Sequence, residues 1–224
     1  MGHDLNPFSA VPLFPLPNVV LFPRAVLPLH VFEERYKVMT ADALRGDRQV
    51  AMALLRPGWE REYHHRPAIE PAVCIGTILT HEKLPDGKYN FLLQGHTRAR
   101  VVRESAGGGG KPYRLAALEP VAEAAVTDAE LQPERQRLAK MFDRGRLAAM
   151  PTATQFREIL AGPLPTSDVV DLVAFNLLED VPLKQSLLAD GDVRGRIART
   201  IDALADLHPP VASSYLRVSN PSAN

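Results

Sequence analysis

The chain has 224 residues, 46% of them hydrophobic, enough to bury a sizeable core as one large domain or two small ones. Lys+Arg and Asp+Glu balance at 26 each, which argues against a dedicated nucleic-acid or anionic-membrane binder, whose affinity comes from clustered positive charge. A lone cysteine, Cys74, excludes an internal disulfide, and no Cys/His spacing matches a zinc site; a reducing, cytoplasmic setting without metal or cofactor is expected.

Residues 1–10 read as a flexible N-terminus. The segment "PLFPLPNVVLFPRAVLPLHVFEERY", residues 12–36, then crowds five prolines into an apolar run that turns abruptly charged. No Lys or Arg precedes it and prolines break every candidate hydrophobic stretch, so it does not read as a signal peptide. No window reaches the roughly 18 uninterrupted apolar residues of a membrane-spanning helix. A PxxP ligand at Pro12–Pro15 would sit in polar surroundings, whereas these neighbours are Leu, Phe and Val. Folded structure remains, with short β-rich runs at Val19–Phe22 and Val26–Val31, the second marked by Pro28 as an edge or bulge.

The period then changes. Phe32, Tyr36, Met39 and Ala43 fall at helical spacing with charges between them, predicting a helix over 33–45 that stops at Gly46. Gln49–Leu55 reads as a buried strand ended by Arg56-Pro57-Gly58. A polar loop with the only tryptophan, Trp59, follows. Val73–Leu84 is strand-like, and Asp86-Gly87 predicts a two-residue hairpin turn. The returning strand puts Tyr89, Phe91 and Leu93 on one face. Gly95 interrupts it as a bulge or corner, and Thr97–Glu104 continues with Arg98 and Arg100 on a solvated face. A flexible loop at Gly107–Gly110 leads to a last strand, Tyr113–Val121.

Beyond residue 122 the pattern is helical. Leu138, Met141 and Phe142 form one stripe, with Thr127 and Glu130 as a capping box and Pro133 delaying the regular helix. A short helix at Phe156–Leu160 follows, then one capped by Ser167, one starting at Pro182, and one after Asp192 with Val193, Ile197, Ile201 and Leu204 in line. The fold class expected is α+β: a β-barrel-like lobe over 11–122 with one inserted helix, a helical lobe over 123–208, and a disordered tail over 209–224.

Chemistry-bearing motifs are sparse. "GGGGKP" at 107–112 imitates a phosphate loop, but Pro112 replaces the required Ser/Thr and a strand follows. His64-His65 are adjacent, His81-Glu82 lacks a second histidine four residues on, and His30 and His96 sit in strand contexts as structural histidines. Cys74, between Val73 and Ile75, reads as a buried small hydrophobe rather than a nucleophile. No serine stands in a G-x-S-x-G elbow. Trp59 and Tyr63, large aromatics in a Pro/Gly-flanked loop, are either packed onto the domain as a lid or offered to a partner.

The order of these segments resembles the N-terminal substrate-binding domain of the Lon protease family. The resemblance is carried by residues 12–36, by "CIGTILTHEKLPDGKYNFLLQGHTRARVV" with its Asp-Gly hairpin and Gly95-x-x-Arg98, and by "VPLKQSLLADGDVRGRI"; it spans about residues 11–207. It implies a PUA-like β-barrel lobe on an α-helical lobe. The proline-crowded start would then form a barrel edge, its prolines placed where no ladder bond is needed. It also implies a non-enzymatic module that binds unfolded or exposed polypeptide segments, adaptor-like or chaperone-like in proteolysis, with a protease or chaperone as partner and no membrane role. The ATPase and Ser-Lys peptidase modules of Lon are not among these residues, so no catalytic residue carries over. The expected binding route is an apolar groove between lobes or an exposed strand edge, with Trp59 and Tyr63 as polypeptide contacts. The alternative is RNA binding through a PUA-like barrel, against which the neutral charge counts.

Overall fold

The computed structural model describes residues 8–63, 65–105, 110–144 and 147–206. His64, most of the glycine run at 107–110, residues 1–7 of the expected flexible N-terminus and the expected 209–224 tail lie outside the described residues. Six strands come first: β1 (Val11–Leu16), β2 (Val26–Val31), β3 (Gln49–Leu55), β4 (Ile69–Lys83), β5 (Tyr89–Ser105) and β6 (Arg114–Pro120). Helix α1 (Glu34–Arg45) is inserted between β2 and β3. The helical part comprises α2 (Gln132–Asp143), α3 (Ala153–Ala161), α4 (Thr166–Leu177), α5 (Val181–Leu188) and α6 (Val193–Ala205). The fold is α+β, as the switch from period 2 to period 3.6 predicts.

Closure of the sheet follows from the length of β5. Its first half, Tyr89–Gln94, pairs with β2, its second half, Ala99–Ser105, with β6, and β4 runs beside it from Tyr89 to Arg100. With β6 on β1, β1 parallel to β3, and β3 on β4, the ring β1-β3-β4-β5-β6 closes into a five-stranded barrel. β2 hangs on the extension of the β4–β5 hairpin as the edge strand, which is where Pro28 can be tolerated. β1 is not an edge, contrary to the sequence expectation. Its prolines fit because Pro12 has only β6 as a ladder neighbour and Pro15 only β3.

The Val19–Phe22 run does not form a strand. Pro17-Asn18 and Pro23-Arg24 make turns at its two ends, with positive φ at Asn18 and Arg24, and Val20, Leu21 and Phe22 are buried as irregular backbone. Gly95 is the corner, and the reason is close approach. A Cβ there would stand 2.2 Å from the Phe22 carbonyl oxygen, while the Gly95 N–H donates to Ala25 O at 2.9 Å and its carbonyl accepts from Arg24 N–H at 2.8 Å. The hairpin turn also differs from expectation. Only Gly87 has positive φ (80°), and its N–H donates to Leu84 O, so the loop is Pro85-Asp86-Gly87, three residues with glycine in the left-handed position.

Two clusters of buried side chains result. Leu13, Ala51, Ala53, Val73, Ile75, Ala99 and Leu118 fill the barrel interior. The other faces of the same strands, Phe14, Val50 and Met52 among them, join Tyr36 and Met39 of α1 and the apolar faces of α2–α6 in one continuous cluster. β3 is buried on both faces, which explains its uninterrupted hydrophobic sequence. Phe32, assigned by spacing to the α1 stripe, instead precedes the helix and is 39% exposed. The Thr127/Glu130 capping box forms reciprocally ahead of α2. Ser167 does not cap α4. Pro165 is at the cap position, and Asp128 accepts the Thr166 N–H at 2.6 Å from a distant segment.

Candidate functional site

The loop from β3 to β4 is pinched at its neck by Arg56 N–H donating to Ala68 O at 2.9 Å. Gly58, at φ 87°, turns the chain into a short 3-10 turn over Trp59–Glu62. That turn sets the Trp59 ring edge-on to Tyr63, with centroids 5.4 Å apart. Both are half-buried, and Trp59 leans against the barrel-interior cluster beside Phe8 and Val101. The Tyr63 hydroxyl donates to the Glu33 carboxylate just ahead of α1, and the Arg35 guanidinium lies 5.2 Å from the Tyr63 ring centre and 4.6 Å from that of Tyr36. Burial, then the bond to Glu33, pushes the Tyr63 phenol up to about 12, so it remains a donor. The loop is thus docked on the start of α1. Spacing alone singled out the two aromatics; their anchorage on Glu33 and Arg35 had no local signal.

Glu33 stands two residues after the end of β2, so the chain leaving this edge strand leads to the aromatic pair. Along that edge and its partner strands, Val26, Phe32, Leu79 and Leu92 are exposed, with Leu92 paired to Pro28. The rings of His30 and Phe32 stand 6.1 Å apart, and His30 Nδ1 hydrogen-bonds Asn90 at 2.7 Å. Below Tyr63 a pocket of about 50 Å³ opens between the loop, α1 and the start of β6, with Tyr36, Arg35 and Arg114 in its wall.

The open cleft between the barrel and the helices has mainly polar walls, although an apolar cluster joins the two parts beside it. This cleft, of about 230 Å³, is walled by His96, Thr97, Arg98, Glu123 and Asp168. Arg98 corrects the sequence reading of a solvated arginine face. It is 5% exposed and donates through Nη2 to both carboxylate oxygens of Asp171 of α4, at 2.9 and 2.8 Å, and through Nη1 to Glu123. Arg196 of α6, 1% exposed, donates to the same Glu123 at 2.8 Å and lies 3.6 Å from Asp171. Two guanidiniums therefore face two carboxylates in a charge-balanced cluster, with Glu123 at its open side on the cleft. Burial pushes the Asp171 carboxyl up to about 6, while Arg98 and Arg196 hold it from rising further. Gly95-x-x-Arg98 is consequently a corner plus a buried anchor, and Arg98 is not free on the sheet face to meet a nucleic acid.

Cys74 is fully buried, and desolvation pushes its thiol up to about 12, so it packs as a small hydrophobe. Among the described residues no three His, Cys, Asp or Glu side chains gather to hold a metal ion, and no helix is long and apolar enough to cross a membrane.

The comparison with known proteins agrees with this geometry. The family model of the ATP-dependent protease La (LON) substrate-binding domain matches residues 10–206. The chain belongs to that family. Curated relatives include the Lon proteases of Trichlorobacter lovleyi, 28% identical over 92% of this chain, and Anaeromyxobacter dehalogenans, 28% identical over 88%. The chain spans 25% and 23% of those proteins' lengths. Among solved structures, the N-terminal domain of Mycobacterium avium complex Lon protease superposes with TM-score 0.68 at 18% identity, covering 88% of this chain and 99% of that one. The Lon N-terminal domain protein from Xanthomonas campestris gives 0.63 at 25% identity, covering 87% and 98%. The LON substrate-binding fold thus accounts for the barrel, the inserted helix and the helices after it together.

Proposed function

We propose that this chain binds unfolded or exposed polypeptide segments and presents them to a protease, as an adaptor or chaperone-like factor, through the surface that joins the β2 edge to Trp59 and Tyr63. The observation that carries the reading is the half-buried Trp59–Tyr63 pair at the end of a free strand edge, in a chain of the substrate-binding domain family. A strand edge offers main-chain pairing that tolerates many sequences, and the aromatics and the exposed Val26, Phe32 and Leu92 supply apolar contact. No residue group in the site requires a cofactor for this role.

The test is titration of the chain with a reduced, carboxymethylated polypeptide and, in parallel, with RNA at two salt concentrations. Saturable binding to the polypeptide that survives added salt supports the proposal; salt-sensitive binding to RNA alone would sink it. Trp59→Ala is expected to weaken polypeptide binding by about 1–2 kcal/mol per folded molecule. Because Trp59 also leans on the barrel interior, a stability loss of about 1 kcal/mol should accompany it. Unchanged affinity in the folded fraction would return Trp59 to a purely structural role.

A further inference from the structure

The pocket under Tyr63 is chemically one-sided. Tyr36 is 5% exposed, and its hydroxyl has no hydrogen-bond partner among the described residues, though it lines the pocket. The hydroxyl oxygen is not itself fully buried, so it keeps some contact with solvent and is open to a ligand that would accept its proton. Arg35, Arg114 and His65 also line it, and no carboxylate does among the described residues.

The acids that balance the arginines stand behind them. Glu33 takes Arg35 Nε at 3.1 Å and Nη2 at 3.0 Å, and Glu104 takes Arg114 Nε at 2.8 Å and Nη2 at 2.6 Å. These bonds hold each guanidinium flat and in place. Each also donates from Nη1 to a carbonyl of the loop, Tyr63 O at 3.4 Å and Pro67 O at 2.8 Å, which leaves N–H groups on both forks without an assigned acceptor. Pro15 and Leu55 close the pocket with apolar surface. The pocket therefore presents two guanidiniums and phenol hydroxyls, with no carboxylate among its described lining residues. Burial raises the Tyr36 phenol well above its ordinary range, so it stays protonated at any physiological pH.

We infer that this pocket is a carboxylate subsite, in which Tyr36, Arg35 and Arg114 receive one carboxylate of a bound polypeptide. Its size fits. A water needs roughly 10–15 Å³ of such space, so about 50 Å³ accommodates a carboxylate and the carbon that carries it, not a large side chain. The carboxylate has two sources with the same chemistry, an Asp or Glu side chain or the C-terminus of the polypeptide. The inference rests on the polypeptide-binding reading above and adds an anchor to it: apolar contact along the β2 edge, and one charge-assisted contact at its end.

Two measurements test it separately from that reading. In the first, backbone amide NMR shifts are followed during titration with propionate and, as the neutral control, propionamide. Saturable shifts at Tyr36 and Arg114 are expected with propionate alone, and are lost in Tyr36→Phe. Absence of those shifts in the wild-type chain overturns the subsite. In the second, labelled peptides of one apolar sequence are compared with Asp or Asn at a single position, and with a free or amidated C-terminus. Tyr36→Phe should weaken binding of the carboxylate-bearing peptide about tenfold or more and leave the peptide without carboxylates unchanged. Its melting midpoint should not fall, since the hydroxyl has no partner among the described residues, so lost affinity cannot be ascribed to unfolding. Loss of the effect on amidation assigns the pocket to a C-terminus; loss with Asn assigns it to an acidic side chain. Peptide binding that ignores Tyr36→Phe overturns the subsite while leaving the polypeptide reading intact. Saturation by propionate with no peptide bound supports the subsite and removes the polypeptide reading.

Discussion

Gly87 and Gly95 look alike in sequence, each a lone glycine in a β-rich stretch, yet the fold asks different things of them. Gly87 needs a left-handed backbone, and the nearest atom to a Cβ there is Lys37 Nζ at 3.8 Å. Gly87→Val should therefore cost only the backbone term, about 1–3 kcal/mol. Gly95 lacks room altogether, because a Cβ would meet the Phe22 carbonyl and, at 2.9 Å, Cys74 Sγ. Backbone cannot step aside as a flexible side chain can, so Gly95→Ala should lose about 3 kcal/mol or more despite adding only a methyl group. Melting midpoints of the two variants check the order; a Gly95→Ala protein as stable as wild type would mean that β5 does not cross the Phe22 turn. The sequence marks Gly87 by its Asp-Gly turn signature and Gly95 by a broken alternation. It does not say which glycine is crowded, since the atom that crowds Gly95 belongs to a segment far along the chain.

Among elements, what was legible were those whose signal is local. The Gln49–Leu55 strand, α1, the Thr127/Glu130 box and the α6 stripe depend on period and caps, and each stands where spacing put it. Arg98 was misread because alternation tells which face a residue is on, not what covers that face; α4 and α6 cover it here. Arg135 is similar. Its guanidinium, 7% exposed, donates to the carbonyls of Leu160, Gly162 and Leu164 and so caps the end of α3, and nothing local to α2 announces it. The junction of α4 and α5 carries a testable charge. Lys184 donates to Phe175 O at 2.7 Å, and burial, opposed by Glu179, pulls its ammonium from 10.5 down to about 8. Between those values the unfolded chain holds a proton that the folded chain has released, so stability rises with pH across that window. Compared with Lys184→Met, the wild-type chain should gain in melting temperature from pH 8 toward 10.5. A constant difference over that range would mean that the ammonium stays charged and hydrated in the fold.

At the scale of the molecule, the division into strands and then helices was readable, but the joint between them was not. One apolar cluster runs from the outer barrel face through α2–α6, and the Arg98–Asp171–Arg196–Glu123 cluster lies at the same boundary. Further bonds cross it, from Gln185 to Ala72 O at 2.9 Å and from Arg100 to Ala189 O at 2.8 Å. A boundary so tied should unfold with the rest. In urea, fluorescence of the single tryptophan at the barrel end and far-UV dichroism, dominated by the helices, should give one coincident transition. Arg98→Met removes the bidentate partner of Asp171 and leaves that carboxylate with Arg196 alone. Breaking a buried pair this way costs about 3–5 kcal/mol, because the remaining charge is not rehydrated. The barrel keeps its closed ladder in this variant, whereas the helices lose an anchor, so the dichroism midpoint should fall below the fluorescence midpoint. Replacing the pair together, Arg98→Met with Asp171→Leu, removes the stranded charge and should restore much of the loss while Arg196 keeps Glu123. If Arg98→Met instead unfolds at the wild-type midpoint with both signals coincident, the ion cluster adds nothing and the apolar cluster alone joins barrel to helices.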